Sequence, residues 1–172
     1  MDRFDKNNYE FNNSSNIGVF IIHGFSSTTY EVKELAEFLG KNGFHSIAKN
    51  LPGHGTSVNL CNKIQYSDWQ YFIKEEIAKL ASQSDKIYVI GCSMGAVLSL
   101  YAASIFPING CVVGGTVLKF NNPFTINCII PFLCKIIKKR KKRKTVSKKR
   151  RNKMRFYGYQ EYPLIALNEF RK

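Results

Sequence analysis

Five consecutive residues, Gly91-Cys92-Ser93-Met94-Gly95, set a serine between two glycines in a G-x-S-x-G pattern. The chemistry that asks for this spacing is attack by a hydroxyl on an acyl carbon. Such a serine sits on a sharp turn from strand to helix, which lifts its hydroxyl clear of the backbone. The flanking glycines are needed because the turn brings segments closer together than a side chain allows. The neighbouring sequence fits that context, with the apolar run "DKIYVIG" before the motif and "SMGAVLSLYAASIF", helical and rich in small residues, after it. Ser93 is therefore the candidate nucleophile, and the start of a helix beneath it favours developing negative charge.

Acyl transfer needs two further parts. One is a pair of backbone N–H donors for the oxyanion. Met94, next after the serine, and Phe25, in the "HGF" that ends an earlier apolar run, are the candidates. The other is a base, since a serine hydroxyl is a weak nucleophile at neutral pH. The chain has three histidines, His23, His45 and His54, and all of them precede Ser93. After Ser93 there is no Asp and no His, and the only carboxylates are Glu161 and Glu169. His23 is placed to shape its loop, with direct proton transfer as the alternative role.

The elements that must hold these residues can be read from periodicity. "IGVFIIHGF" (17–25) is a strand whose unbroken apolar core, Val19–Ile22, suits burial on both faces. A helix follows with Val32, Leu35, Phe38 and Leu39 at helical spacing, closed by Gly40 or Gly43. "HSIA" leads into the Pro/Gly turn "NLPGHG". Residues 66–84 form an amphipathic helix, capped by Ser67 or Asp68, with Trp69, Phe72, Ile73, Ile77 and Leu80 as its apolar stripe. Strand 85–91, the helix after Ser93 and strand 109–115 complete the pattern. Strand and helix alternate, which predicts an α/β domain with a largely parallel sheet and a site at the strands' carboxyl ends. A short helix is expected around Leu164–Phe170.

The net charge of +14 is local. Residues 135–155 hold 14 of the 26 Lys and Arg with no acid, while the other 12 face 12 Asp and Glu. The five cysteines show no close pair, and Cys92 and Cys111 read as reduced, buried thiols. The first 16 residues are too polar for a secretory leader. The longest apolar stretch, Phe124–Ile137, is too short to span a bilayer and contains Pro131. These features predict a cytoplasmic protein. An apolar stretch before a basic run also suits an anionic membrane surface met through 124–155, with Phe124, Ile129, Ile130, Phe132 and Leu133 entering the interface. Nucleic acid is not the expected partner, since aromatic residues are absent between Lys138 and Lys153.

"GVFIIHGFSSTTYEVKELAEFLGKNGF", "PGHG", "DWQ" and "GCSMG", in this order over about residues 17–116, resemble the α/β-hydrolase superfamily, and within it small bacterial carboxylesterases and monoacylglycerol-lipase-like enzymes. The resemblance implies an α/β-hydrolase core at 1–116 and a partial cap at 117–172. It implies Ser93 as nucleophile and Phe25 and Met94 as oxyanion donors. His23, Gly24 and His54 would lie at the substrate pocket, His54 having a structural role in the family as a rule. Neither cofactor nor metal is implied. The substrate would be a small ester or lipid, cleaved through an acyl-serine.

The family's triad runs Ser, Asp, His along the chain, and its last two strands deliver the acid and the histidine. This sequence lacks both residues and both strands, so the resemblance implies a truncated member. Its missing part would come from a complementing C-terminal chain if it is to be active. A non-catalytic binding protein on the same fold, and a basic arm acting on membrane or nucleic acid, are the alternatives.

Overall fold

The computed structural model describes residues 5–142 and 158–172. The apolar run at 17–22 forms strand β2 (Ile17–Ile22), in which Val19, Phe20, Ile21 and Ile22 are each at most 2% exposed. Such a strand can only be central. It pairs in parallel with β3 (His45–Ala48) on one side and with β4 (Lys86–Cys92) on the other. Strand β5 (Gly110–Gly114) lies parallel beside β4, and β1 (Tyr9–Phe11) closes the far edge, antiparallel to β3. The order is β1-β3-β2-β4-β5. This is the largely parallel α/β sheet that the alternation predicts. Strand β1 was not foreseen. Its three residues lie in a polar segment and are held by pairing with Ser46–Ala48.

The helices fall at the predicted places. In α3 (Tyr66–Ala81), Trp69, Ile73, Ile77 and Leu80 are fully buried, as the stripe requires. Its cap is one residue earlier than Tyr66: the Gln65 N–H donates to the Asp68 carboxylate at 2.8 Å. With α4 (Met94–Ile105) this helix covers one face of the sheet through Met94, Leu98 and Ala102. Helix α1 (Lys33–Lys41) lies on the other face. There Val32 and Ala36 are buried while Leu35 and Phe38 point outward, at 38% and 60% exposed. The predicted stripe for this helix is thus rotated, because Ala36 is what fits against β2 and β3. A short helix α2 (Val58–Cys61) follows the Pro/Gly turn.

Beyond β5 comes a π-wound turn (Thr125–Ile129) leading into α5 (Ile130–Ile136). A ribbon of β6 (Lys139–Lys141) and β7 (Glu161–Pro163) follows, then α6 (Leu164–Phe170). Ala166, Phe170 and Tyr159 join the main core. Ile130 and Cys134 pack on Leu164 in a separate small cluster. Ile130 and Leu133 are therefore turned away from solvent, contrary to the expectation that they enter a membrane interface. Residues 143–155 of the basic run lie outside the described residues. All five cysteines are free. Cys61 and Cys134 are the buried ones, whereas Cys92 and Cys111 are only half-buried because β4 and β5 are open on one side. Among the described residues, no helix is long and apolar enough to cross a membrane.

Candidate active site

Register brings the predicted parts together. Ile22 pairs with Gly91, so β2 and β4 end side by side, and their continuations, His23–Phe25 and Cys92–Ser93, leave the sheet as neighbours. Ser93 is the single residue between β4 and α4. Its φ of 54° and ψ of −118° lie where a side chain is strained. The strain is held from several directions. The Ser93 N–H donates to the Gly114 carbonyl at 2.9 Å, and its carbonyl accepts from Ala96 at 3.1 Å. A Cβ on Gly91 would collide with the Gly95 carbonyl, and one on Gly95 with the carbonyl of Ile22. Both glycines are required by close approach, and the start of α4 rests directly on the end of β2.

Met94 opens α4, where the first N–H groups have no partner inside the helix. Among the described residues neither the Met94 nor the Phe25 N–H has a protein acceptor. Gly24 lies against the serine: a Cβ there would stand 3.3 Å from the Ser93 Cβ. The Phe25 ring is fixed edge-on to Trp69 and stacked on Phe170 at 5.8 Å. Trp69 is a core residue, as expected, and its indole N–H donates to the Pro52 carbonyl at 3.0 Å.

The histidines are spoken for. His23 is fully buried; its Nε2 accepts the Leu51 N–H at 3.1 Å, and Nδ1–H donates to the Gly24 carbonyl at 2.9 Å. His54 accepts the Ser26 N–H at Nε2, 3.1 Å, and donates from Nδ1 to the Pro52 carbonyl at 3.2 Å. Burial lowers the pKa of both. That of His54 falls to about 3, helped by the neighbouring His23. Each is a neutral imidazole whose one lone pair is taken by a backbone N–H, so neither can accept a proton from Ser93. His45 sits at the opposite end of the sheet, level with Gly18, bonded to Glu10 at 2.8 Å.

Three side chains at this site went unnoticed in the sequence. Glu31 accepts the Gly24 N–H at 3.0 Å and the Cys92 thiol at 3.6 Å, which sets a carboxylate beside the serine turn. Burial, then Glu31, push the Cys92 thiol up to about 12. Ser26, at φ 57°, is a hub: its N–H goes to His54, its carbonyl accepts from Tyr159 N–H at 2.9 Å, and its hydroxyl accepts from Lys142 at 2.6 Å. Lys142 reaches in from the end of β6, and burial brings its pKa down to about 8. No local pattern could have announced Ser26, Tyr159 and Lys142 as partners, since they are joined only by folding.

Comparison with known proteins agrees with this geometry. The model of the alpha/beta hydrolase fold family matches residues 19–125. A thermostable monoacylglycerol lipase of Bacillus sp. (strain H-257) is 34% identical over 103 residues, 56% of this chain and 41% of that protein. A carboxylesterase of Bacillus subtilis (strain 168) is 30% identical over 95 residues, 55% of this chain and 39% of that protein. The chain thus spans about two fifths of the length of these curated relatives. Among solved structures, a metagenome-derived lipolytic enzyme of the LipS and LipT study superposes with a TM-score of 0.82 at 22% identity, covering 96% of this chain and 66% of the other. The monoacylglycerol lipase of Paleococcus ferrophilus gives 0.70 at 17% identity, covering 95% and 68%. The sequence match and the strand–serine–helix geometry coincide, and the chain belongs to the alpha/beta hydrolase fold family.

Proposed function

We propose that this chain carries the nucleophile side of a serine ester hydrolase of carboxylesterase or monoacylglycerol-lipase type, acting on a small carboxylic ester. The observation that carries the reading is the strained, multiply held Ser93 beside two uncommitted backbone N–H groups. Ser93 Oγ adds to the ester carbonyl carbon, and the oxyanion is received by the N–H groups of Phe25 and Met94. The proton lost by Ser93 passes through a base to the departing alcohol. Water then cleaves the acyl-serine to a carboxylic acid and free enzyme. Residues 117–142 and 158–172 form a partial cap over this site, which Phe170, Tyr159 and Lys142 reach from their own segments.

The base lies outside the described residues. The lone pairs of His23 and His54 are taken by backbone N–H groups, His45 lies at the far end of the sheet bonded to Glu10, Glu161 is paired with Lys139, and Glu169 with Lys172. The place for a partner is the outer edge of β5. Among the described residues that edge is unpaired, and Val112 is 61% exposed. Beside it a hollow of about 250 Å³ is walled by Ile21, Val32, Leu35, Ile90, Val112 and Val113. A parallel sheet needs cover on both faces, and a strand followed by a helix would provide it here. The missing base equally favours a second reading, a binding protein that keeps the pocket without turnover.

Hydrolysis of short 4-nitrophenyl esters and of a monoacylglycerol, with mass spectrometry for an acyl adduct on Ser93, separates the two. Turnover or an adduct that vanishes in Ser93→Ala supports the hydrolase. A folded chain that binds these esters without forming an adduct supports the binding protein.

A further inference from the structure

Among the described residues, the π-wound turn and α5 are anchored by one side. Ile130 and Cys134, at 6% and 7% exposed, pack on Leu164. A surface helix anchored in this way ordinarily shows polar residues on its other side. Here the other side carries Phe124, Ile129, Phe132 and Ile136, at 68%, 43%, 71% and 84% exposed. The wider π winding over Thr125–Ile129 helps bring Phe124 onto the same side as the later three. Contiguous apolar surface of this kind marks an interaction site.

The charge beside it is of one sign. Between Val117 and Lys142 there is no Asp or Glu, and Lys135, Lys138, Lys139, Arg140 and Lys141 are all exposed. Lys139 alone of these has a carboxylate partner among the described residues, Glu161 at 3.0 Å. A second copy of the chain would bring the same positive charge to the same face and be repelled. A nucleic acid would match the charge and leave the apolar stripe in water. A bilayer with anionic headgroups satisfies both at once, since it offers negative charge at the surface and hydrocarbon just beneath.

We propose that this face docks the chain on an anionic lipid surface, with Phe124, Ile129, Phe132 and Ile136 entering the boundary between headgroups and acyl chains. This goes beyond the ester-hydrolase reading and does not depend on Ser93 turning over.

The test is co-sedimentation of the full chain with phosphatidylcholine vesicles, with and without phosphatidylglycerol, at low and high salt. Binding to the anionic vesicles is expected to exceed binding to the neutral ones by roughly tenfold or more and to weaken with salt. Phe132→Glu with Ile136→Glu, both at exposed positions, abolishes it. Lys138→Gln and Lys141→Gln each lower partition by roughly fivefold at low salt. Failure of the wild-type chain to bind either vesicle overturns the proposal. So does anionic binding that the Phe132/Ile136 variant retains and an oligonucleotide reproduces, which would make this a phosphate-binding surface. Self-association without lipid that Phe132→Glu removes would make it an interface between copies, and would also overturn it.

Discussion

The two flanks of Ser93 are built differently. On the β2 side the residues around the turn are tied down by hydrogen bonds and ring packing. His23 and His54 are locked by backbone bonds, Gly95 admits no side chain, Gly24 sits tight against Ser93, and Phe25 is held between Trp69 and Phe170. On the β5 side the sheet ends in exposed valines and an apolar hollow. The difference shows how the site divides its work. On the proposed reading, the part that fixes the nucleophile and the oxyanion donors comes from local turns and neighbouring strands of this chain. On the same reading, the part that moves protons approaches from the open side.

Matched substitutions on the two flanks test this most severely. Val89 is fully buried in β4, and Val89→Asp places an unpaired charge in the core. It should cost about 4 kcal/mol or more and lower Tm by about 10 °C in a chain of this size. Val112→Asp on β5 should stay within about 0.5 kcal/mol in the isolated chain. Equal damage from both would mean that β5 is covered in solution and the comparison is wrong. Gly95→Ala comes next, because its Cβ meets a backbone carbonyl that cannot turn aside. About 1–3 kcal/mol of overpacking is expected, read by chemical denaturation, together with loss of any reaction at Ser93.

His54 sharpens the contrast through pH. Its folded-state pKa of about 3 is below the ordinary 6.5, so the unfolded chain takes up a proton first as pH falls. Stability is therefore full above 6.5 and declines as pH drops from there toward 3. His54→Asn should flatten part of that decline in melts taken across the range. It should also cost about 1–3 kcal/mol at neutral pH, unless the amide replaces the acceptor for Ser26 N–H. The smallest effect belongs to Lys142. Its depressed pKa means that stability rises as pH increases from about 8 toward 10.5, the unfolded chain being the more protonated state in that window. Lys142→Met should remove this rise, at a cost of about 1 kcal/mol or less for the lost bond to Ser26.

Much of this was legible in the sequence, and for identifiable reasons. An unbroken apolar run such as Val19–Ile22 has no placement except the middle of a sheet, and a 3.6-residue stripe such as Trp69-Ile73-Ile77-Leu80 fixes which side of a helix is inside. The serine turn was legible because its glycines answer to local backbone crowding. Strand β1 was hidden because the alternation Tyr9-Glu10-Phe11 is only three residues long, too short a pattern to mark a strand, and pairing with β3 makes it one. The outward turn of Phe38 was hidden because Ala36, a residue of weak hydrophobic signal, fits the contact better. Glu31, Ser26 and Lys142 were hidden because their partners are distant in sequence. The roles of His23 and His54 depended on which lone pairs the fold had already used.

The central claim is that Ser93 is poised while its base is not in these 172 residues. The most direct measurement is the rate at which a fluorophosphonate labels Ser93, with and without added imidazole and with Ser93→Ala as the blank. The account predicts slow labelling of the folded chain that imidazole accelerates in a saturable way, with none in Ser93→Ala. Rapid labelling that imidazole leaves unchanged would contradict it by showing a base within the chain. No labelling at any imidazole concentration would contradict it from the other side, by showing that Ser93 is not poised at all.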